Sequence, residues 1–401
     1  MNEPKYISAG YLIDGSGGPI RKDILLIIEG GRIAAIEPFC RNDIPDPTRL
    51  VDLSRSTIIP PLVDSHAHLA LSGSIDKEVR ARQLEARYPE VAVTIERNLA
   101  YHFSQGIFAV RDGGDRHGHV LRYREEKASA MPVPVRLQVS GRAWHRAGRY
   151  GSMLGRHPAE HETLAEAFSR DYDSIDQLKL INSGPNSLKE FGKQTPPQFT
   201  LEELRETVRL AHDRGLPVMV HANGVEPVRM AIEAGVDSIE HGYFMGRDNL
   251  ARMADKRIFW VPTLFAMHAL THAVLRISPP AERAIASMNV KNQLQQVAWA
   301  RELGVPIAAG TDAGCYGVMH GESLVEEMKM LVKGGCTLSE TIRAASNNGA
   351  RLLGLGDLGL IAKGRPADFL VFLGTPPQLP RKLAFLEAIY INGNPSPLFR
   401  K

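Results

Sequence analysis

The sequence predicts an α/β protein: a (β/α)₈ barrel of TIM type that carries a small β-domain built from both chain termini. Three observations predict it. The first fifty-odd residues alternate as short strands and turns, strand-and-turn chemistry returns near the C-terminus, and between them apolar strand-like runs alternate with helical patterns.

The N-terminal strands are Tyr6-Ile7-Ser8-Ala9 running on to Tyr11-Leu12-Ile13, Asp23 to Ile28, and Arg32 to Ile36. Asp14-Gly15-Ser16-Gly17-Gly18 makes a turn and Glu29-Gly30-Gly31 a hairpin turn. So small a sheet needs a partner to bury its face. Residues 367–372 and 386–393 supply one, so 1–57 and 355–401 read as a composite β-domain, with 58–354 inserted as the barrel.

The barrel begins with Ile58 to Leu69, an apolar run that ends in His66 and His68. Further strands follow at Ile107–Arg111, Val135–Ser140, Gln177–Ile181, Pro217–His221, Ser238–His241, Ile258–Thr263 and Pro306–Asp312. Helical patterns separate most of them. Leu201 to Arg214 places Leu201, Leu204, Val208 and Ala211 on one face with Gly215 as its stop, and Val225–Gly235 and Glu322–Gly334 repeat the design. Eight strands alternating with helices give the barrel; a doubly wound open sheet is the alternative that strand counting leaves open.

The ionisable residues fall at the strand ends. His66 and His68 end the first strand, His221 the fifth, His241 the sixth and Asp312 the eighth. Side chains two apart on a strand share a face, so His66 and His68 can reach one ion. Barrel active sites sit at the carboxyl ends of the strands, so these residues converge into a shell suited to zinc or another borderline divalent metal.

Lys179 lies inside Leu178-Lys179-Leu180-Ile181, on a strand buried on both faces if parallel. A lysine there needs a carboxylate partner, a solvated strand end, or conversion to an anion. The reading preferred here is the last: a neutral amine adds carbon dioxide and becomes a carbamate able to bridge two metal ions.

With these residues in view, the chain resembles the amidohydrolase superfamily, and within it the imidazolonepropionase-like and prolidase-like metal-dependent hydrolases. The resemblance is carried by Asp14-Gly15, Val63-Asp64-Ser65-His66-Ala67-His68, Lys179, Val220-His221-Ala222, Glu240-His241-Gly242, Gly310-Thr311-Asp312-Ala313-Gly314, and Gly359 to Asp368. The last stretch is similar to the segment by which such chains re-enter a terminal β-sandwich. One departure is Pro61, where the family usually has Gly. The resemblance implies a binuclear centre: His66, His68 and Asp312 on one metal, His221 and His241 on the other, carbamylated Lys179 and a hydroxide between them. It gives Asp312 the catalytic proton transfer from water to the leaving nitrogen.

The implied reaction is hydrolysis of a carbon–nitrogen amide bond, with a dipeptidase or an N-acyl amino acid hydrolase as the leading form. The rivals are a mononuclear deaminase or imidazolonepropionase-like cyclic-amide hydrolase, a metal-dependent decarboxylase, and a non-enzymatic binding protein. Many superfamily deaminases place Glu three residues after the fifth-strand His, where this chain has Gly224. A binding protein is expected to lose ligands, and this set is complete.

Arginines and other polar groups in the expected mouth loops point to a small substrate that carries a carboxylate. The candidates are Arg111, Arg142, His145, Tyr150 and His320, with Arg116, His117, His119, Arg146, Arg149 and Tyr316 in the same loops. Two motif matches are discounted. His157-Pro158-Ala159-Glu160-His161 reads as a solvated helix start, and Gly354 to Gly359 spells G-x-G-x-x-G but follows a helix, as a turn does.

Composition sets the outer bounds. The chain has 401 residues, 43% hydrophobic and 23% charged, with formal net charge +3. That balance gives no field for nucleic acid or membrane partners. No signal-like or membrane-length apolar run is seen, and three widely spaced cysteines do not suggest a disulfide framework, so a cytoplasmic protein is expected. Oligomeric state is left open, a homo-oligomer included.

Overall fold

A computed structural model describes residues 4–127, 131–171, 173–272 and 279–399. Of the opening segment, Met1, Asn2 and Glu3 lie outside the described residues. Four strands come first: β1 (Lys5–Leu12), β2 (Arg21–Glu29), β3 (Arg32–Pro38) and β4 (Leu50–Ile59). The middle of the chain gives β5 (Leu62–Ala67), β6 (Ile107–Asp112), β7 (Arg136–Val139), β8 (Ala143–Trp144), β9 (Gly155–Arg156), β10 (Leu178–Ile181), β11 (Val218–Ala222), β12 (Ser238–His241) and β13 (Phe259–Val261). The C-terminal part adds β14 (Phe369–Leu373), β15 (Ala388–Ile391) and β16 (Asn394–Pro395).

Strands from both ends of the chain form one seven-stranded sheet, in the order β16-β15-β14-β4-β1-β2-β3. Gly30 and Gly31, both at positive φ, make the tight β2–β3 turn that L side chains resist. Ile7, Leu26 and Ile58 from the N-terminal part pack with Phe369 and Val371 from the C-terminal part in one apolar cluster. The Phe369 and Tyr390 rings stack at 4.5 Å.

The stretch Ile58–Leu69 is two elements rather than one. Ile58 and Ile59 belong to β4, where they pair with Val371 and Leu370, and Pro60-Pro61 ends that strand because proline supplies no backbone donor. The chain then leaves the terminal sheet and enters β5.

The middle strands form two parallel arrays, β5-β6-β7 and β13-β12-β11-β10-β8-β9. The expected strand at 306–312 is not a regular strand. Gly310 approaches the neighbouring chain so closely that a Cβ there meets Val261 Cγ1 at 2.5 Å, and Asp312 has φ 59°, so the extended geometry breaks. The segment still bonds on both sides: Ala308 N donates to Trp260 O at 2.9 Å, and Ser65 N donates to Ala309 O at 2.9 Å. It thereby links β13 to β5.

The three helices expected from pattern form at Leu201–Asp213, Val225–Ala234 and Glu322–Lys333. The first starts in a capping box between Thr200 and Glu203, and the second ends at left-handed Gly235. His157 does not open a helix: its Nδ1 faces Pro158 O at 2.9 Å, and the next helix starts at Leu164 behind a Thr163–Glu166 capping box. Gly354–Gly359 forms turns and bends after the helix Gly349–Leu352. Among the described residues no helix is long and apolar enough to cross a membrane. The thiols of Cys40, Cys315 and Cys336 are free.

Candidate metal centre

His66 and His68 stand at the end of β5 and Asp312 in the irregular segment beside it. One ligand atom from each lies within 4.8 Å of the other two. His66 Nε2 is 3.5 Å and His68 Nε2 3.3 Å from Asp312 Oδ1. The backbone enforces this convergence, because His66 O accepts from both Thr311 N at 3.1 Å and Asp312 N at 2.7 Å. Positive φ at Asp312 and His241 places non-glycine residues in a costly conformation at the site.

Each of the two imidazoles is oriented through its other nitrogen. His66 Nδ1 lies 2.6 Å from Glu240 Oε2, and His68 Nδ1 lies 2.9 Å from Gly114 O. Both Nε2 atoms are thereby turned toward Asp312. Glu240 is in turn fixed by Arg111 Nη2 at 2.7 Å and Ser238 Oγ at 2.6 Å. Burial works against a charged Glu240, but Arg111 and His66 outweigh it and hold its carboxyl well below the usual range. Asp64 ties the two arms together: its Oδ1 accepts from His66 N and Thr311 N, and its Oδ2 from Thr311 Oγ1 at 2.6 Å.

His241 and His221 complete the cluster. Their ring centroids are 4.6 Å apart, and His241 lies 5.0 Å from His66. His241 Nδ1 is 2.7 Å from Thr263 Oγ1. His221 is engaged differently, with Nε2 facing Gly184 O at 3.2 Å. Burial drives the His66 imidazole down to about 4 and that of His241 to about 3, and pushes His221 well down, so all three are neutral at pH 7.

Lys179 is 1% exposed on β10, in register with Met219 of β11, and its Nζ has no hydrogen-bond partner among the described residues. Burial pushes its ammonium down to about 8, against the opposing pull of Glu240. Such a residue keeps a sizeable neutral fraction near pH 8.

A cavity of about 260 Å³ is lined by His66, His68, Lys179, His221, His241 and Asp312 together. Of the five expected substrate contacts, only Tyr150 lines it, with its ring 5.3 Å from His221. The other four lie outside its lining. Arg111 is buried beneath the site on Glu240, Ser238 and Ser65 O, so it orients a metal-ligand candidate instead. Arg142 pairs with Asp173, His145 Nδ1 faces Arg146 O, and His320 Nε2 faces Leu71 O at 2.7 Å. Of the further loop residues, Arg146 is held by Glu203, while Tyr316 does line the cavity. Arg80, Asn223 and Tyr243 line it without having been singled out from sequence. Arg80 follows the first histidine pair on a short helix whose hydropathy pattern gives no signal.

The residues fit a divalent ion. Among the described residues His66 Nε2 and Lys179 Nζ are buried polar atoms that make no hydrogen bond, beside a carboxylate and a second imidazole. His66, His68 and Asp312 are the residues arranged to hold it.

The model of the Amidohydrolase family matches residues 57–396. An uncharacterized protein of Mycobacterium tuberculosis is 28% identical over 390 residues, covering 95% of this chain and 94% of the relative. An imidazolonepropionase of Ruegeria pomeroyi is 25% identical over 362 residues, covering 83% of each chain. Among solved structures, a Xaa-Pro dipeptidase with bound methionine in its active site is similar, with TM-score 0.78 and 27% identity over 98% of this chain and 100% of that one. With a match over so much of its length, this chain belongs to the amidohydrolase family and is a hydrolase of that family.

Proposed function

We propose that this hydrolase is metal-dependent and cleaves a carbon–nitrogen amide bond in a small substrate bearing a carboxylate, a dipeptide or an N-acyl amino acid. The observation that carries the reading is the convergence of His66, His68 and Asp312 at one end of the parallel strands, with His66 Nε2 buried and making no hydrogen bond among the described residues. We read the two parallel arrays and the 306–313 segment as one (β/α)₈ barrel over 60–354, and the terminal sheet of 1–59 and 355–401 as a separate β-sandwich domain.

On this reading His66, His68 and Asp312 would hold one ion and His221 and His241 a second. Lys179 would contribute as the carbamate formed when its neutral amine adds carbon dioxide and loses a proton. The chemistry supplied by zinc, or a similar divalent ion, is Lewis acidity toward a carbonyl and a water of lowered pKa. The chain's own residues do the rest. Asp312 carries a carboxylate held below its usual range, against the cost of burial, by its bond to His68, so it is ionised and able to accept a proton from the water. It then delivers that proton to the leaving nitrogen. Glu240 and Asp64 keep the imidazoles and Asp312 in register while this happens.

A second reading, hydrolysis of a cyclic amide, is supported by likeness to the Ruegeria pomeroyi imidazolonepropionase. Deamination is disfavoured by Gly224, which has no side chain to act three residues after His221. Assay of dipeptides, N-acyl amino acids and cyclic amides against metal-loaded protein tests the choice. Turnover confined to cyclic amides replaces the first reading with the second.

A further inference from the structure

The helix Lys77–Glu85 has Arg80 as its one buried residue, 8% exposed, while its other described residues face outward or sit half-buried. Turning a guanidinium inward is costly unless it meets an anion or a set of oxygens. Among the described residues no carboxylate forms an ion pair with Arg80. Its recorded hydrogen bonds engage Nη1 only, to Gly314 O at 2.8 Å and, weakly, to Ser74 O at 3.5 Å. Its guanidinium lies 4.0 Å from the centre of the Tyr316 ring, which fixes the plane of the group.

Arg80 also lines the cavity that contains His66, His68 and Asp312. Gly314, to which it is tied, is two residues beyond Asp312, so the cation is anchored to the same loop as the site's carboxylate. Nη1 is committed to that loop, and Nε with Nη2 is left as a two-pronged donor edge of the kind that matches a carboxylate. Leu188, Met267 and Leu270 form an apolar stretch of the wall, beside polar Asn186, Asn223 and Thr263.

We propose that Arg80 is the residue that binds the substrate's carboxylate, and that the substrate pairs this carboxylate with an apolar side chain. This rests on the reading of the cavity as the amide-hydrolysis site, and it moves the carboxylate grip from the arginines of the later loops to the helix after β5. Arg80 reaches the ligand directly and takes no part in proton transfer.

The test is calorimetric titration of zinc-loaded protein with N-methanesulfonyl-L-methionine and its carboxamide, whose sulfonamide bond is not an amide. Wild type is expected to bind the carboxylate about ten- to a hundredfold more tightly than the carboxamide, as a charge-assisted bidentate contact requires. In Arg80→Gln this preference disappears while carboxamide affinity stays the same, and in Arg80→Lys an intermediate preference remains. Equal binding of the two probes by wild type, binding of neither, or a preference that survives in Arg80→Gln overturns the proposal. If circular dichroism shows Arg80→Gln to be unfolded, Arg80→Lys decides, and an unchanged preference there overturns it. Hydrolysis of N-acetyl-L-methionine is measured separately. A carboxylate preference that depends on Arg80 without any turnover contradicts the amide-hydrolase reading and leaves the anchor standing.

Discussion

His66 Nδ1 lies 2.6 Å from Glu240 Oε2, and this contact decides which nitrogen of His66 is offered to the site. Glu240 sits one residue before His241, on β12, and its carboxylate is shared between His66 and Arg111. A strand that supplies one imidazole thus orients another.

Replacing Glu240 by Gln therefore weakens the site without removing a ligand. Metal affinity, measured by competition with a chelator, is expected to fall about 10- to 100-fold. Arg111 is also left buried without its counter-ion, so the melting temperature falls. Unchanged affinity contradicts the orienting role.

Lys179→Ala tests the bridging role. The variant is expected to lose the carbamate resonance that wild type shows in ¹³C NMR after incubation with labelled bicarbonate, and to hold fewer metal ions. Its activity is expected to drop by ~10³-fold or more if the anion is lost from the reacting centre. A wild-type protein with no carbamate signal at full activity contradicts the assignment.

Gly113 is required by packing rather than by backbone conformation. A Cβ at this position meets His68 Cε1 at 2.8 Å and His66 Nε2 at 3.3 Å. Gly113→Ala is expected to push the His68 ring aside and lower metal affinity by about tenfold or more, since misplaced ligands bind poorly. Calorimetric zinc titration checks it.

The buried imidazoles of the metal-free protein make its stability sensitive to acid. His66 at about 4 and His241 at about 3 lie below the ordinary histidine value of 6.5, chiefly because burial penalises the cation. Between these values and 6.5 these two imidazoles bind more protons in the unfolded chain than in the folded one, so their own contribution to stability rises with pH. Asp112, raised to about 6 by burial, and Glu327, raised to about 8 by burial, act in the opposite direction. Chemical denaturation of metal-free protein between pH 4 and 6.5 is expected to give a stability that depends less positively on pH in His241→Gln than in wild type, and equal pH dependence in the two contradicts it.

Much of this was legible in the sequence because strand ends and ligand chemistry coincide. His66, His68, His221, His241, Lys179 and Asp312 do line one cavity, as their strand positions implied. The rest of the cavity lining was only partly legible. Arg111 looked like a mouth residue because its strand ends there, but its side chain turns back to Glu240. Arg80 was invisible because its helix lacks an apolar stripe, and its burial depends on the Gly314 loop, more than two hundred residues away in sequence. The irregular 306–312 segment was read as a strand because its apolar residues fit one; the positive φ at Asp312 is set by tertiary bonds to His66 O.

The central claim, that a metal ion held by His66, His68 and Asp312 drives amide hydrolysis, is tested most directly by removing and restoring the metal. Chelated protein is expected to be inactive toward a panel of dipeptides and N-acyl amino acids, and to recover as about two divalent ions per chain are added back. Undiminished hydrolysis by metal-free protein would contradict it.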